Sequence, residues 1–192
     1  MNNGRSVLIT GASRGIGAAI AKGFAREGYS FVGINYHSDE AGARAVAEEV
    51  RANGAHAEIY QADVSDSGDC QRLMEQFISD TGKIDVLINN AGGAQTIPAG
   101  SFAEMPVEYW DRQVRMNLSC AAYCSRIAIG DMLAKGTQGR IINISSVHSQ
   151  VTWVKRKALP YCAGKAGMNM FTKALGVEVA RHGIRVNCIA PG

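Results

Sequence analysis

The sequence carries no strong charge of either sign. Its 20 Lys and Arg stand against 17 Asp and Glu, a net charge of +3, and no basic cluster marks one face. A nucleic-acid partner is set aside on that ground. A CxxC pair is also lacking: Cys70, Cys120, Cys124, Cys162 and Cys188 are odd in number, widely spread and without His at metal spacing. Neither a disulfide framework nor a metal site is expected, and the five read as small buried residues in a reducing cytosol. Signal-length and membrane-length apolar runs are missing too; Met1 to Arg5 lead straight into a short strand. That predicts a soluble, cytoplasmic protein with no membrane partner. Repeats, low-complexity segments and linkers are absent, so residues 1–192 are expected to form one domain. A chain of this length buries about 70% of its unfolded surface around one core.

What is present is alternation. Ser6-Val7-Leu8-Ile9 is an apolar run of strand length that ends in Thr10-Gly11-Ala12-Ser13-Arg14-Gly15-Ile16-Gly17. A helix should follow to Gly28, with Ile16, Ala19, Ile20, Gly23 and Phe24 as its inward stripe. Further strands are expected at 31–35, 56–61, 84–88, 140–144 and 184–189, and helices over 39–52, 69–81 and 161–181. Residues 106–134 predict one long helix, with a bend at Asn117. Short buried strands alternating with helices of this length predict an α/β fold, a parallel sheet covered on both faces by right-handed crossovers. Residues 147–159 form the long irregular piece and have the length of an active-site loop.

Gly11, Gly15 and Gly17 sit where the first strand hands over to the first helix. There backbone N–H groups can meet a dinucleotide pyrophosphate, and glycine allows a tight turn, close approach to phosphate and close helix packing. The spacing is not GxGxxG, so position rather than pattern carries the reading. The second strand ends Asn35-Tyr36-His37-Ser38, with no acid until Asp39 to grip a ribose 2′-hydroxyl. Arg14 can pair a 2′-phosphate instead. NADP(H) is therefore the expected cofactor, with NAD(H) second.

Tyr161 and Lys165 stand one helical turn apart on one face, and Pro160 suits the first helical position, which puts Tyr161 in the opening turn. A free phenol titrates near ~10 and is a poor acid or base at neutral pH; a neighbouring ammonium and a helix N-terminus favour its phenolate.

With Thr10 to Gly17, Asn89-Asn90-Ala91-Gly92, Asn117, Ser146, Tyr161-x-x-x-Lys165 and Pro191-Gly192 in this order, the whole chain resembles the short-chain dehydrogenase/reductase family in its single-domain form. The resemblance implies a Rossmann-type doubly wound sheet. It implies that Gly11, Ser13, Arg14, Ile16 and Gly17 line the pyrophosphate and adenosine half, with Asn35, Tyr36, His37 and Ser38 at the ribose. Asp63 and Val64 would hold the adenine; Asn89, Ala91 and Gly92 would lie against the adenosine side; Pro191 and Gly192 would close on the cofactor. Tyr161 would be the general acid/base, Lys165 would bind the nicotinamide ribose and lower the tyrosine pKa, and Ser146 would hold the substrate oxygen, a role for which Ser145 competes. Asn117 would hold a water in a proton relay to Lys165.

These roles imply a carbonyl reductase, reversible as an alcohol dehydrogenase, acting on a 3-oxoacyl thioester or a sugar- or polyol-like molecule. A binding module without catalysis is the alternative. The Ser146 to Tyr161 interval is longer than the family's usual one, enlarging a loop with His148, Trp153, Lys155, Arg156 and Lys157. His148 is expected to order that loop. The basic run reads as a solvated turn or as attraction for an acidic substrate or carrier protein. The resemblance also implies lid helices and a seventh strand beyond Gly192, absent from this sequence; without them the sixth strand would show an open edge and cofactor binding would be weak. Apolar positions on the 106–134 and 161–181 helices suit a helix-paired dimer or tetramer.

Overall fold

The computed structural model describes residues 4–93, 101–152 and 158–192. Its centre is β1 (Ser6–Ile9), buried at every position. In parallel, β1 pairs with β2 (Phe31–Tyr36) on one side and β4 (Val86–Asn89) on the other. Beyond β2 lies β3 (His56–Gln61), and beyond β4 lie β5 (Arg140–Ile144) and β6 (Arg185–Ile189). Among the described residues the sheet is six-stranded, in the order β3-β2-β1-β4-β5-β6. This is the expected doubly wound α/β sheet. The chain reverses its direction of winding between β1 and β4, the place where such sheets open a crevice at their carboxyl ends.

The central strands are apolar throughout because both faces are covered. On one face α1 (Gly15–Arg26) and α2 (Glu40–Ala52) bury Val7, Ile9, Ile34 and Val46. On the other, α3 (Ser67–Thr81), α5 (Cys120–Lys135) and α6 (Leu159–Val179) enclose Leu8, Phe77, Leu87 and Met132. Asp39 and Asp66 start α2 and α3 by accepting N–H bonds from Gly42 and Asp69. No helix among the described residues is long and apolar enough to cross a membrane.

Several expectations are corrected. The inward face of α1 is Gly17, Ala18, Ala21 and Ala25 rather than the larger residues, because small side chains let the helix lie close to the sheet. Ile20 and Phe24 pack at its flank, and Ile16 is 49% exposed. The helix also stops at Arg26, short of Gly28. Ile84 is outside β4, since its N–H goes to Asp131 Oδ2 on α5 at 3.0 Å. The helix expected over 106–134 is α4 (Val107–Val114), a π-helical turn (Arg115–Ser119) and α5. Its cause is the predicted bend residue: Asn117 Nδ2 donates to the Gln113 carbonyl at 3.0 Å, taking the acceptor that an α-helical N–H would use. α6 begins at Leu159, so Pro160 is its second residue, and it passes into a 3-10 turn (Ala180–His182). Cys70, Cys120 and Cys124 are buried, but Cys162 and Cys188 are only half-buried. Burial pushes the Cys120 thiol up to about 12, so it remains protonated.

Candidate active site

Gly11 opens the turn after β1 with φ +62°, and its N–H donates to Asn35 Oδ1 at 3.1 Å. Asn90 Nδ2 donates to both Thr10 O and Gly11 O at 2.9 Å. A Cβ at Gly17 would lie 2.5 Å from Gly11 O and 2.6 Å from Asn90 Nδ2, so a side chain there would break the turn open. Asn35 and Asn90 thus brace a backbone loop that leads into the N-terminus of α1, whose first turn carries no acid. This cradle fits a pyrophosphate: backbone donors, a helix dipole and no acid in the helix's own first turn.

The loop forms one end of a cleft of about 460 Å³. Of the residues singled out in the sequence, Gly11, Ser13, Arg14 and Ile16 line that end, and Asn35, Tyr36, His37 and Ser38 line the adjoining wall after β2. Asp63 and Val64 line it after β3, Ala91 and Gly92 after β4, and Tyr161 and Lys165 at the opposite end. The cleft therefore runs along the carboxyl ends of the strands.

Arg14 is 83% exposed on its side chain, and its Nη1 lies 3.4 Å from Asp39 Oδ2. Asp39, the first acid after β2, also lines the cleft. The Asn35 side chain is spent on structure: besides the Gly11 N–H, it serves Tyr60 O and Ala62 O at 3.1 and 3.2 Å. Asp63 accepts from the Ser65 N–H and hydroxyl at 2.9 and 2.8 Å, which shapes the wall after β3.

At the other end Tyr161 lies in the opening turn of α6, half-buried, and Lys165 is 3% exposed one turn on. Lys165 Nζ stands 5.9 Å from the centre of the Tyr161 ring and donates to Ile144 O at 2.7 Å. Burial lowers the Lys165 pKa from the ordinary lysine value. Ser145 Oγ donates to Lys165 O at 3.1 Å, tying the end of β5 to α6. Ser146 Oγ accepts from the His148 N–H at 3.2 Å, and its own hydroxyl proton has no acceptor among the described residues. The cleft wall itself carries Ser145, with Ser146 one residue beyond. His148 Nδ1 contacts Val151 O at 3.2 Å, and its ring meets the Tyr161 ring edge-on with centres 6.2 Å apart. Trp153, Lys155, Arg156 and Lys157 lie outside the described residues.

Asn117 does not line the cleft but reaches its floor from the π-turn. Its Oδ1 accepts from Gly93 N at 2.9 Å. A Cβ on Gly92, which has φ +147°, would stand 2.9 Å from that Oδ1 and 3.2 Å from Lys165 Nζ, so both side chains converge on the space glycine leaves. α6 passes the turn at Gly164, where a Cβ would meet Asn117 Cβ at 3.0 Å.

Asn89 is placed elsewhere. It is buried inside the fold, with Nδ2 donating to Ser125 Oγ at 3.0 Å and Asn143 Oδ1 at 2.8 Å; its neighbour Asn90 lines the cleft. β4 side chains alternate between the faces, and Asn89 belongs to the same face as Leu87, which packs toward α5. Gly17 is behind the turn, and Pro191 accepts from Val147 N at 2.8 Å; neither Pro191 nor Gly192 lines the cleft. Sequence reasoning missed Asp39, Ala62, Ser65, Asn90, Met116 and Ile144 as lining residues. For Asn90 the signal was present, since it lies two residues past Ile88, on the other side of the strand from Asn89 and at the carboxyl end of β4.

A glucose 1-dehydrogenase 2 of Bacillus subtilis is 37% identical over 191 residues, 98% of this chain and 71% of that protein. A 3-oxoacyl-acyl-carrier-protein reductase of Staphylococcus aureus is 38% identical over 188 residues, 98% of this chain and 74% of that one. The crystal structure of an acetoin dehydrogenase from Enterobacter cloacae superposes with TM-score 0.92 at 35% identity, covering 100% of this chain and 74% of the other. The model of the short chain dehydrogenase family matches residues 5–192. With the sheet order, the crevice and this likeness in agreement, the chain belongs to the short-chain dehydrogenase family of oxidoreductases.

Proposed function

We propose that the chain interconverts a carbonyl and a secondary alcohol with NADP(H), NAD(H) serving second, on a 3-oxoacyl thioester or a small sugar- or polyol-like substrate. The observation that carries this reading is the buried ammonium of Lys165 beside the Tyr161 ring, in the wall of the same cleft whose far end is the glycine cradle. The nicotinamide, when bound, supplies the hydride. The residues of this chain do the rest. A carbonyl that gains a hydride becomes an alkoxide, so it needs a hydrogen-bond donor where the charge grows and a proton within reach. Ser146 offers its hydroxyl as that donor, and Tyr161 gives the proton. Lys165, held near Tyr161 by Ile144 O, keeps a positive charge beside the phenol. Asn117 fixes the floor beneath both.

NADP(H) is favoured by Arg14. Its pairing with Asp39 is loose and exposed, of the kind that contributes about 0.2–1 kcal/mol, so a 2′-phosphate can take the guanidinium over. The alternative, a dinucleotide-binding module without chemistry, is not favoured, because the family likeness runs through the Tyr161 helix as well as the glycine turn. Met170 and Val177 on α6 are 65% and 82% exposed, which supports a homo-oligomer, a dimer or tetramer paired through this helix.

The test is NADPH or NADH oxidation with acetoin and an acetoacetyl thioester, and the reverse reaction with glucose, alongside NADP binding by titration. Turnover is expected to be lost in Tyr161→Phe with binding retained, and Arg14→Ala should lower kcat/KM for NADPH much more than for NADH. An unaltered Tyr161→Phe enzyme, or a strong NADH preference that survives in Arg14→Ala, would refute the respective halves of the reading.

A further inference from the structure

Gln113 lies on α4 with no exposed surface, one turn before Asn117. Its main-chain carbonyl accepts from Asn117 Nδ2 at 3.0 Å and its side-chain Oε1 faces the same nitrogen at 3.4 Å. Asn117 Nδ2 also faces Gly93 O at 3.2 Å, so it is an amino group and the Gln113 atom turned toward it must be the oxygen. That orientation leaves Gln113 Nε2, a buried donor, without an acceptor among the described residues. A buried amide donor is costly to leave unpaired, and such groups in folded proteins are nearly always satisfied by protein or by ordered water. An apolar residue of the same length would fill this place at no such cost.

The geometry points to Gln113 as a positioning residue for proton transfer: its buried N–H anchors an internal water beside Asn117 and keeps the proton path that starts at Lys165 connected. This rests on the reaction proposed above. The parts already converge. Asn117 Oδ1 and Lys165 Nζ crowd the same space over Gly92, and the π-turn exists because Asn117 has turned its amide onto the Gln113 carbonyl. An internal water needs two to four polar partners. Gln113 Nε2 is one such partner, placed next to the polar groups that meet at Asn117. Each turnover draws one proton through Tyr161, so a path that refills it acts on kcat rather than on cofactor affinity.

Two variants test this in the full chain, with acetoin and either nicotinamide cofactor. Gln113→Met keeps the length and removes the polar atoms. It is expected to lower kcat about tenfold, less than the roughly 10²–10⁴-fold of a direct proton-transfer group because the residue acts through a water, while the NADP dissociation constant changes less than about twofold. Its solvent deuterium isotope effect on kcat should exceed that of wild type, and its thermal midpoint should stay level or rise, because an unpaired donor has been removed. Gln113→Glu keeps the oxygen toward Asn117 and loses the N–H. Buried carboxyls hold their proton to higher pH, so its kcat relative to wild type should recover on acidification as an O–H donor returns. Unchanged kcat in Gln113→Met overturns the inference. So does a loss of kcat accompanied by a lower thermal midpoint and no pH-dependent recovery in Gln113→Glu, the pattern of a purely structural residue. Failure of the parent reading shows elsewhere, as a wild type inert toward every substrate named above.

Discussion

At the scale of single residues, the two serines at the end of β5 illustrate how neighbours divide labour. Ser145 commits its proton to the Lys165 carbonyl, a bond that holds strand to helix, whereas Ser146 receives a bond and keeps its proton to give. Ser146→Ala should therefore cut kcat by about 100-fold, the scale of one lost donor at a developing oxyanion, with little change in thermal midpoint. Ser145→Ala should instead lower the midpoint and reduce kcat less; steady-state kinetics beside thermal unfolding decides, and the reverse ranking would transfer the role to Ser145. Lys165 makes a pH prediction. Burial lowers its pKa in the folded state, so the unfolded chain, with lysine near ~10.4, holds that proton more tightly. The group costs stability while both states are protonated, and the cost is relieved as pH rises from the lowered folded value toward the unfolded one. Relative to Lys165→Met, wild type should gain stability as pH rises above the lowered folded value toward the unfolded lysine value of about 10.4, measured by urea unfolding of both. A relative loss would contradict the assigned burial.

At the scale of elements, the central strands were legible because strands buried on both faces are written as apolar runs, and β1 falls where that run predicts it; β3 and β5 also fall at their expected places, though they mix polar with apolar residues. The helices were legible in place but less so in detail. Large apolar residues marked the wrong face of α1, since close approach to a sheet selects Ala and Gly, which periodicity of bulk does not register. Asn117 was visible as a bend, but a π-turn arises from one amide meeting one carbonyl and leaves no repeat to read. The crossing of α6 over that turn supplies a paired prediction. Alanine favours a helix interior over glycine by up to about 1 kcal/mol, and at Gly176 a Cβ would find ordinary contact with Val186 O at 3.4 Å. Gly176→Ala should raise the thermal midpoint. At Gly164 a Cβ would press on Asn117 at 3.0 Å, so Gly164→Ala should lower the midpoint and kcat together. A stabilised, active Gly164→Ala would mean that helix and turn can part freely. His148 Nδ1 contacts Val151 O at 3.2 Å in the first turn after β5, while Asn169 Nδ2 on α6 donates to Ser149 Oγ at 2.7 Å.

At the scale of the whole molecule, cohesion falls from the middle of the sheet outward. β1 and β4 are buried at every position; β6 alternates between exposed and half-buried. Amide exchange should be slowest in β1 and β4 and fastest, among the strands, in β6, because opening the centre requires breaking both helical layers. Residue-resolved hydrogen exchange checks the order, and equal protection of β6 would argue for cover on that strand. The same sheet order bears on how the polypeptide is made. Val7 lies between Val32 and Val86, so a chain leaving the ribosome can complete β1, β2 and β3 long before β4 exists. During that interval the most apolar strand is left as a bare rim, able to recruit another nascent chain. Synthesis stalled before Val86 should thus yield aggregates or depend on a chaperone, whereas synthesis past Ile88, which lets β4 pair with β1, ends the hazard.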